Sequence, residues 1–214
     1  MIMQRLLAVS ASSGATDPYF SSVILLLHFN DTDGTTANLL DSSSYNHTSS
    51  TSCVYDTTVK KFGSSSIKTV SNYEVLSTIP TALSSLGTGD FTVECFIQLS
   101  HINTFYKFLG NTSGTGWYFS TYPNDGSLYL SYNNAQVLKT GNNVLTVDQM
   151  HHVAWTKESG VSKIWVDGVL EASGADTNSY DQGNTTVNLF GSLGANQEHN
   201  YDDYKITKGI ARYT

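Results

Sequence analysis

The chain has 214 residues, of which 39% are hydrophobic and 12% aromatic, and its formal net charge is −7. This apolar content is too high for a disordered chain. Only 11 residues are Lys or Arg, so no basic stripe can neutralise phosphates, and the composition argues against nucleic acid and an anionic membrane surface as partners.

Residues 1–20 form an N-terminal arm ahead of the patterned part of the chain. Their apolar patch, 6–9, is shorter than the ~7–15 residues of a signal-peptide core. No run in the chain approaches the ~18 apolar residues of a membrane span. We therefore expect neither secretion nor membrane insertion, and we predict that the arm is an anchoring segment that docks on a partner.

From residue 21 onward the apolar period is two, which indicates β-strands. The continuous apolar run 22–29 predicts a strand buried on both faces. The residues of 89–99 alternate. Phe91, Val93, Cys95 and Ile97 point one way, and Thr92, Glu94, Phe96 and Gln98 point the other. Cys95 lies in this strand and is expected to act as a small buried hydrophobe. A disulfide with Cys53 stays open as the alternative.

Two hairpins follow. The strands "GWYFSTY" and "SLYLSY" flank the turn "PNDG", and Asp167-Gly168 separates "IWV" from "VLEA". Roughly a dozen strands, frequent turn signals and no helical periodicity predict the fold class. We expect an all-β, two-sheet antiparallel jelly-roll sandwich over residues 21–214, with an extended N-terminal arm over 1–20.

Seven segments occur in an order that resembles a known family. They are "DPYFSSVILLLHF" (17–29), "DSSSYNHT" (41–48), "KFGSSSI" (61–67), "GDFTVECFIQL" (89–99), "HHVAWTK" (151–157), "IWVDGVLEASG" (164–174) and "DDYKITKGIARYT" (202–214). Together they resemble the laminin-G-like members of the concanavalin A-like lectin/glucanase superfamily, in the versions found in bacteriophage virion proteins. The resemblance covers about residues 17–214 and implies two packed antiparallel sheets. It leaves function open, because the superfamily hosts lectins, hydrolases, adhesion modules and structural domains.

Glycoside hydrolysis needs a pair of carboxyl groups ~5–9.5 Å apart. Glucanases of the resembling fold typically carry two Glu and an Asp alternating on one strand. No two of the five glutamates here share a strand: Glu74, Glu94, Glu158, Glu171 and Glu198. The resemblance also implies structural roles for Glu94, His151 and His152. We therefore expect a protein that is not an enzyme.

Calcium is a minority interpretation, and no other cofactor is expected. Asp31, Asp33 and Asp41 lie near the first strand, and Asp202 and Asp203 on the last; carboxylates from loops suit calcium. The alternative is that the loop aspartates form Asx-turns and the Asp pair bonds backbone at a strand end. Alternation places Asp202, Tyr204 and Ile206 opposite Asp203 and Lys205 in this closing strand.

The aromatic hairpin carries the candidate glycan-binding residues, because sugars need aromatic faces for stacking and planar polar groups for their hydroxyls. Alternation places Tyr118, Tyr122 and Tyr129 on an exposed face and Trp117 with Phe119 on the other. The alternative is cross-strand packing or a protein interface. The candidates are Trp117, Tyr118, Tyr122, Asn124, Asp125, Tyr129 and Tyr132.

The leading hypothesis is a non-catalytic phage protein on the virion surface, a head decoration or tail-associated protein. It displays a lectin-like domain for glycan or host-surface adhesion. We expect other virion proteins as partners through the arm, and a homo-oligomer or symmetric assembly. Because the sequence ends at Thr214, we expect attachment through the arm or a sandwich face. The alternative is a free-standing carbohydrate-binding lectin, and a glycoside hydrolase is a distant third.

Overall fold

The structure is a computed structural model that describes residues 17–32, 34–69, 85–111, 116–181, 187–192 and 198–214. These residues form a short 3-10 helix, Phe20–Ser22, and fourteen β-strands. The strands are β1 Val23–Leu27, β2 Thr36–Leu40, β3 Thr48–Asp56, β4 Ser66–Lys68, β5 Phe91–Leu99, β6 Tyr106–Asn111, β7 Trp117–Thr121, β8 Leu128–Tyr132, β9 Ala135–Lys139, β10 Met150–Glu158, β11 Val161–Val166, β12 Val169–Ala175, β13 Val187–Ser192 and β14 His199–Lys208.

The strands pair into two antiparallel sheets, as the sequence predicts. The nine-stranded sheet has the order β12-β11-β10-β5-β14-β4-β3-β2, with β1 also paired to β14. The five-stranded sheet has the order β13-β6-β7-β8-β9. The first and last strands of the sandwich are therefore paired with each other.

The sequence patterns explain the individual strands. All five residues of β1 are buried, as its continuous apolar run predicts. The β11–β12 turn has Asp167 at φ 50° and Gly168 at φ 81°. Both residues thus lie in the left-handed region that a two-residue hairpin turn requires, and Asp and Gly reach this region most readily. Both hairpins read from the sequence are confirmed.

The core lies between the sheets and contains many aromatic side chains. The ring centroids of Phe91 and Trp155 lie 4.6 Å apart, and those of Trp155 and Tyr180 lie 4.7 Å apart. Cys53 and Cys95 are buried in the same core and are not joined by a disulfide. Cys95 therefore behaves as the predicted small hydrophobe, and the disulfide alternative is not formed.

The predicted alternation of β14 is wrong at Asp202. A register shift separates Asp202 from Lys205, and Asp203 has φ 46°. This β-bulge inserts an extra residue, so the alternation restarts after it. Tyr201, Tyr204 and Ile206 consequently all pack in the core, whereas Asp202 pairs with Phe96 on the outer side.

Part of the outer face of the nine-stranded sheet, around Thr92 and Glu94, is covered by the C-terminal segment, residues 209–214. Thr92 Oγ1 donates to the Ile210 carbonyl and accepts from the Arg212 N–H. Beneath them the buried Glu94 carboxylate contacts Lys205 Nζ at 3.0 Å and accepts a hydrogen bond from the Tyr213 hydroxyl. The segment after β14 is thus pinned to the sheet, and Glu94 has a structural role.

The N-terminal arm was predicted over residues 1–20, and residues 1–16 lie outside the described part of the chain. The Asp17 carboxylate bonds Arg212 Nη2 at 2.7 Å. The base of the arm therefore lies against the C-terminal segment. Within the described ranges, no helix has the length and apolarity that crossing a membrane requires.

Candidate functional site

The outward side of the five-stranded sheet carries tyrosines, as alternation along β7 and β8 predicts. Tyr118 and Tyr129 lie on this side, whereas Phe119 and Leu130 point into the core. Tyr122 joins them from the turn after β7, with its ring centroid 5.3 Å from that of Tyr129. We name this surface, around Tyr118, Tyr122 and Tyr129, the tyrosine face.

Phe105 completes the ring cluster, and the sequence reasoning missed it. Its centroid lies 5.5 Å from that of Tyr122 and 6.1 Å from those of Tyr118 and Tyr129. Phe105 precedes β6 in an irregular segment, where alternation assigns no face. The four rings contact one another in edge-to-face and tilted arrangements and form one apolar platform, in which Tyr129, predicted to be exposed, is only 8% exposed.

Two lysines lie against this platform. Lys107 Nζ is 5.1 Å from the Tyr118 ring centroid, and Lys139 Nζ is 4.6 Å from that of Tyr122. These are cation–π distances. Lys139 also bonds the Asp125 carboxylate at 2.7 Å. The platform therefore combines apolar rings with charged donors.

The turn between β7 and β8 is held by its own polar groups. Asp125 Oδ1 accepts from the Ser127 N–H and hydroxyl. Burial acts to raise the pKa of Asp125, but the bonds from Lys139 and Ser127 outweigh it and lower the pKa. Asn124 lies at the exposed tip with φ 66°. Asp125 is thus an ionised structural acceptor at the rim of the tyrosine face.

Two predicted glycan-binding residues do not belong to this surface. Trp117 is 2% exposed and packs against Trp155 and Tyr180 in the core. The Tyr132 ring lies 5.7 Å from that of Tyr180 and packs against the core as well. Both side chains point inward because they share the alternation of Phe119 and Leu130. The structure brings together Tyr118, Tyr122, Asn124, Asp125 and Tyr129.

The calcium candidates are engaged in separate structural contacts. Asp41 Oδ1 accepts the Leu26 and Ser43 N–H groups, and Asp31 Oδ1 accepts the Thr32 N–H. Of these contacts, the one to the Ser43 N–H, two residues after Asp41, is an Asx-turn. Asp33 lies outside the described residues. Where the structure describes the chain, no three His, Cys, Asp or Glu side chains form a group that could hold a metal ion; calcium binding stays an untested prediction.

Asp202 and Asp203 join three segments of the fold. Asp202 Oδ2 accepts the N–H groups of Lys61 and Phe62 at 2.7 and 2.8 Å. Burial raises the pKa of Asp202 to about 6 despite these bonds. Asp203 bonds His28 Nδ1 at 2.6 Å, and this bond raises the pKa of His28. The Asp pair therefore fixes the loop after β3 and the end of β1 to the last strand.

His151, His152 and Glu94 have structural partners. His151 bonds Asp167 through Nδ1 at 2.7 Å and accepts the Thr146 N–H through Nε2, which ties the β11–β12 turn to the sheet. His152 Nε2 lies 3.2 Å from Glu94. Glu94 lies on the outer side of the nine-stranded sheet, remote from the tyrosine face. Glu74 lies outside the described residues.

The two packed antiparallel sheets make this protein a lectin-like jelly-roll domain. A family model described as the concanavalin A-like lectin/glucanases superfamily, of the laminin G type, matches residues 72–205. The chain belongs to this superfamily, which confirms the family resemblance of its motifs. No curated protein sequence matches the chain.

Solved structures share the fold at low sequence identity. The binding domain of Paraclostridial Mosquitocidal Protein 1 is 17% identical, with a TM-score of 0.68 over 91% of this chain and 51% of that one. The binding domain of botulinum neurotoxin DC, solved with rat synaptotagmin II, is 14% identical, with a TM-score of 0.62 over 90% and 50%.

A third structure is domain 4 of AbnA, an extracellular arabinanase from Geobacillus stearothermophilus, in complex with arabinotriose. It is 16% identical, with a TM-score of 0.61 over 88% of this chain and 93% of that one. The chain thus spans about half the length of the toxin binding domains and nearly all of the arabinanase domain. At these identities the likeness shows the fold alone.

Proposed function

We propose that this protein is a non-catalytic glycan-binding protein and that the tyrosine face holds the saccharide. The observation that carries the proposal is the outward cluster of Phe105, Tyr118, Tyr122 and Tyr129, with charged and amide groups at its rim. Ligand sites are mostly apolar, with a few placed polar groups that fix orientation. Tyrosine supplies an apolar ring and a polar hydroxyl in one side chain.

The solved complex of the arabinanase domain with arabinotriose supports a glycan as the ligand of this fold. The placement of the carboxyl groups supports a role without catalysis. Hydrolysis requires two carboxyl groups facing one cleft. On the tyrosine face Asp125 is bonded to Lys139 and Ser127, whereas Glu94 lies on the outer face of the other sheet.

A protein receptor is the second candidate ligand. The neurotoxin binding domain solved with synaptotagmin II has the same fold, and clustered aromatic side chains are common binding hot spots in protein interfaces. The glycan is favoured because the rings present a continuous platform with flanking hydrogen-bond donors.

A glycan-array comparison of three proteins tests the proposal. We expect Tyr122→Ala to weaken binding about tenfold or more, because it removes one ring of the platform. Tyr45→Ala is the matched control, since Tyr45 is exposed on the loop before β3, and it should bind like the wild type. Trp117→Ala is unsuitable as a test because Trp117 belongs to the core.

A folded wild-type protein that binds nothing on arrays of bacterial and host polysaccharides contradicts the glycan proposal. An equal loss of glycan binding in Tyr122→Ala and Tyr45→Ala contradicts the assignment of the site to the tyrosine face. In the first case the protein receptor becomes the leading candidate.

We also propose display on a virion surface, with residues 1–20 as the anchor. The resemblance of the motifs to bacteriophage virion proteins supports this. The Asp17–Arg212 bond places the base of the arm at the outer face of the nine-stranded sheet, so an anchor there leaves the tyrosine face pointing away from the particle. In the alternative, a free-standing lectin, the arm is incidental.

Deletion of residues 1–16 tests the anchor and retains the Asp17–Arg212 contact. We expect the shortened protein to fold with unchanged glycan binding and to be absent from purified particles. Incorporation at the wild-type level contradicts anchoring by the arm.

A further inference from the structure

An ion pair lies beside the Tyr122 ring at one edge of the tyrosine face. Lys139 Nζ contacts Asp125 Oδ2 at 2.7 Å and lies 4.6 Å from the Tyr122 ring centroid. The side chains of Lys139 and Asp125 are 22% and 18% exposed, and Tyr122 is partly exposed as well. An ammonium, a carboxylate and an aromatic ring are therefore accessible together at this edge.

The turn that carries Asp125 is held in place by its neighbours. Its carbonyl accepts the Asn143 N–H at 2.6 Å, and the Gly126 carbonyl accepts the Leu145 N–H at 2.9 Å. The backbones approach so closely that a Cβ on Gly126 would lie 2.5 Å from the Leu145 carbonyl oxygen. Ser127 fixes Oδ1 of the carboxylate. A site that is ordered before binding loses less conformational entropy when a ligand arrives.

The ion pair retains hydrogen-bonding capacity for a ligand. A lysine ammonium has three donors, and among the described residues Lys139 Nζ bonds Asp125 Oδ2 and the Asn142 side-chain oxygen, at 2.7 and 3.4 Å. In the same part of the chain Asp125 Oδ2 accepts from Lys139 alone. One donor and one acceptor position therefore remain beyond these contacts, on two atoms that are adjacent in space.

Two hydroxyls on adjacent carbons of a sugar ring suit this arrangement. A hydroxyl can donate to a carboxylate, and its neighbour can accept from an ammonium. Hydrogen bonds to charged groups are stronger than those between neutral groups. The charges of Lys139 and Asp125 cancel within the pair, so the pair favours an uncharged ligand.

We propose, on the basis of the proposed function, that Asp125, Lys139 and Tyr122 form a subsite for a neutral saccharide with two adjacent free hydroxyls. Asp125 Oδ2 accepts from one hydroxyl, Lys139 Nζ donates to the other, and the sugar ring packs against Tyr122. Lys139, which is not among the candidates predicted from the sequence, thereby becomes a ligand-binding residue.

Isothermal titration with neutral trisaccharides tests the hydroxyl requirement. The ligands are arabinotriose, cellotriose, maltotriose and mannotriose, each compared with its per-O-methylated form. We expect at least one trisaccharide to bind about tenfold or more tightly than its methylated form, because methylation removes the hydroxyl donors. Since the ligand is uncharged, its affinity should be nearly the same at low and high salt.

Variants then locate the two hydrogen-bonding groups. Lys139→Met keeps the apolar stem and removes the ammonium, and Asp125→Asn keeps the shape and removes the charge. Each should weaken trisaccharide binding about tenfold. The double variant should bind about as weakly as either single one, because both groups act on one pair of hydroxyls. Lys163→Met is the matched control, since Lys163 is 20% exposed, pairs with Glu158 and lies on β11 in the other sheet.

Ser127→Ala separates contact with the ligand from support of the turn. It removes one bond to Asp125 Oδ1 and leaves the contact of Oδ2 with Lys139. Binding should therefore fall much less than in Lys139→Met. Urea midpoints establish that each variant is folded.

The outcomes separate this inference from the proposed function. The inference is overturned if the trisaccharides bind no better than their methylated forms, if Lys139→Met binds like the wild type, or if Ser127→Ala loses as much as Lys139→Met. Binding confined to charged glycans overturns it as well. If Tyr122→Ala still weakens glycan binding in these cases, the proposed function stands. Absence of all glycan binding by the folded wild type overturns both.

Discussion

Replacing Glu94 by Gln should strongly destabilise the fold, because it removes the central charge of a buried cluster. Glu94 Oε1 lies 3.0 Å from Lys205 Nζ and 3.8 Å from Arg212 Nε, and Oε2 lies 3.2 Å from His152 Nε2. The side chain is 5% exposed. Gln keeps the shape and a hydrogen-bond acceptor but removes the carboxylate that the Lys205 ammonium contacts, whereas Arg212 retains Asp17.

Breaking a buried ion pair by removing one partner costs about 3–5 kcal/mol. The free energy of unfolding of a natural domain is about 5–15 kcal/mol, so the loss is a large share of the total. For a chain of this size it lowers the melting temperature by roughly 6–20 °C. Urea unfolding of both proteins, analysed with a common m-value, measures the difference at pH 7.

The pH dependence provides a second readout. Burial acts to raise the pKa of Glu94, but the His152 bond and the Lys205 charge outweigh it and hold the pKa well below the ordinary 4.5. A lowered carboxyl pKa contributes stability above the unfolded value and loses it as the pH falls toward the folded value. The difference in the free energy of unfolding between wild type and variant should therefore be largest at pH 7 and shrink below about pH 4.5.

Glu158→Gln is the matched control, since Glu158 pairs with Lys163 at 3.8 Å and is more exposed. Exposed pairs contribute about 0–1 kcal/mol. Glu94 does not have this role if Glu94→Gln lowers the free energy of unfolding at pH 7 by no more than the control does, or if it lowers it by the same amount at pH 3.

Two further predictions concern residues in the sandwich. His199 is buried, and desolvation lowers its pKa from 6.5 to about 3. As the pH is lowered, the unfolded chain binds the proton at a higher pH than the folded protein does, so the free energy of unfolding decreases with falling pH across this window. Relative to His199→Gln, the wild type should lose about 2 kcal/mol between pH 7 and pH 5, measured by urea unfolding, and a constant difference contradicts this. Gly110→Ala should cost about 1–3 kcal/mol and weaken glycan binding, because the added Cβ lies 2.5 Å from Tyr118 Cβ. Gly141→Ala, which meets nothing within 4 Å, should do neither.

Much of the fold could be predicted from the sequence. Alternation along β5 assigned Phe91, Val93, Cys95 and Ile97 to one face, and that face packs in the core. The turn residues Asp167 and Gly168 identified a hairpin, because few residues adopt their backbone angles readily. The order of seven short motifs indicated the family. These features depend on residues close together in the chain, so they can be read without a structure.

The candidate site was predictable only in part. The alternation of β7 and β8 placed Tyr118 and Tyr129 outward, and the same alternation placed Trp117 in the core, where the structure has it. Phe105 could not be assigned, because it reaches the tyrosine face from a segment without periodicity. The bulge at Asp203 was also missed, since a single residue with φ 46° leaves no pattern in the sequence.

The sequence by itself determined which residues form strands and which side of each strand is apolar, because strand geometry is local. Tertiary structure alone decided which outward surfaces stay open. Glu94 points away from the core, yet Tyr213, 119 residues later, covers it, whereas Tyr118 and Tyr122 of the tyrosine face stay partly exposed. Burial of an outward side chain depends on contacts between distant segments, and strand periodicity carries no information about such contacts.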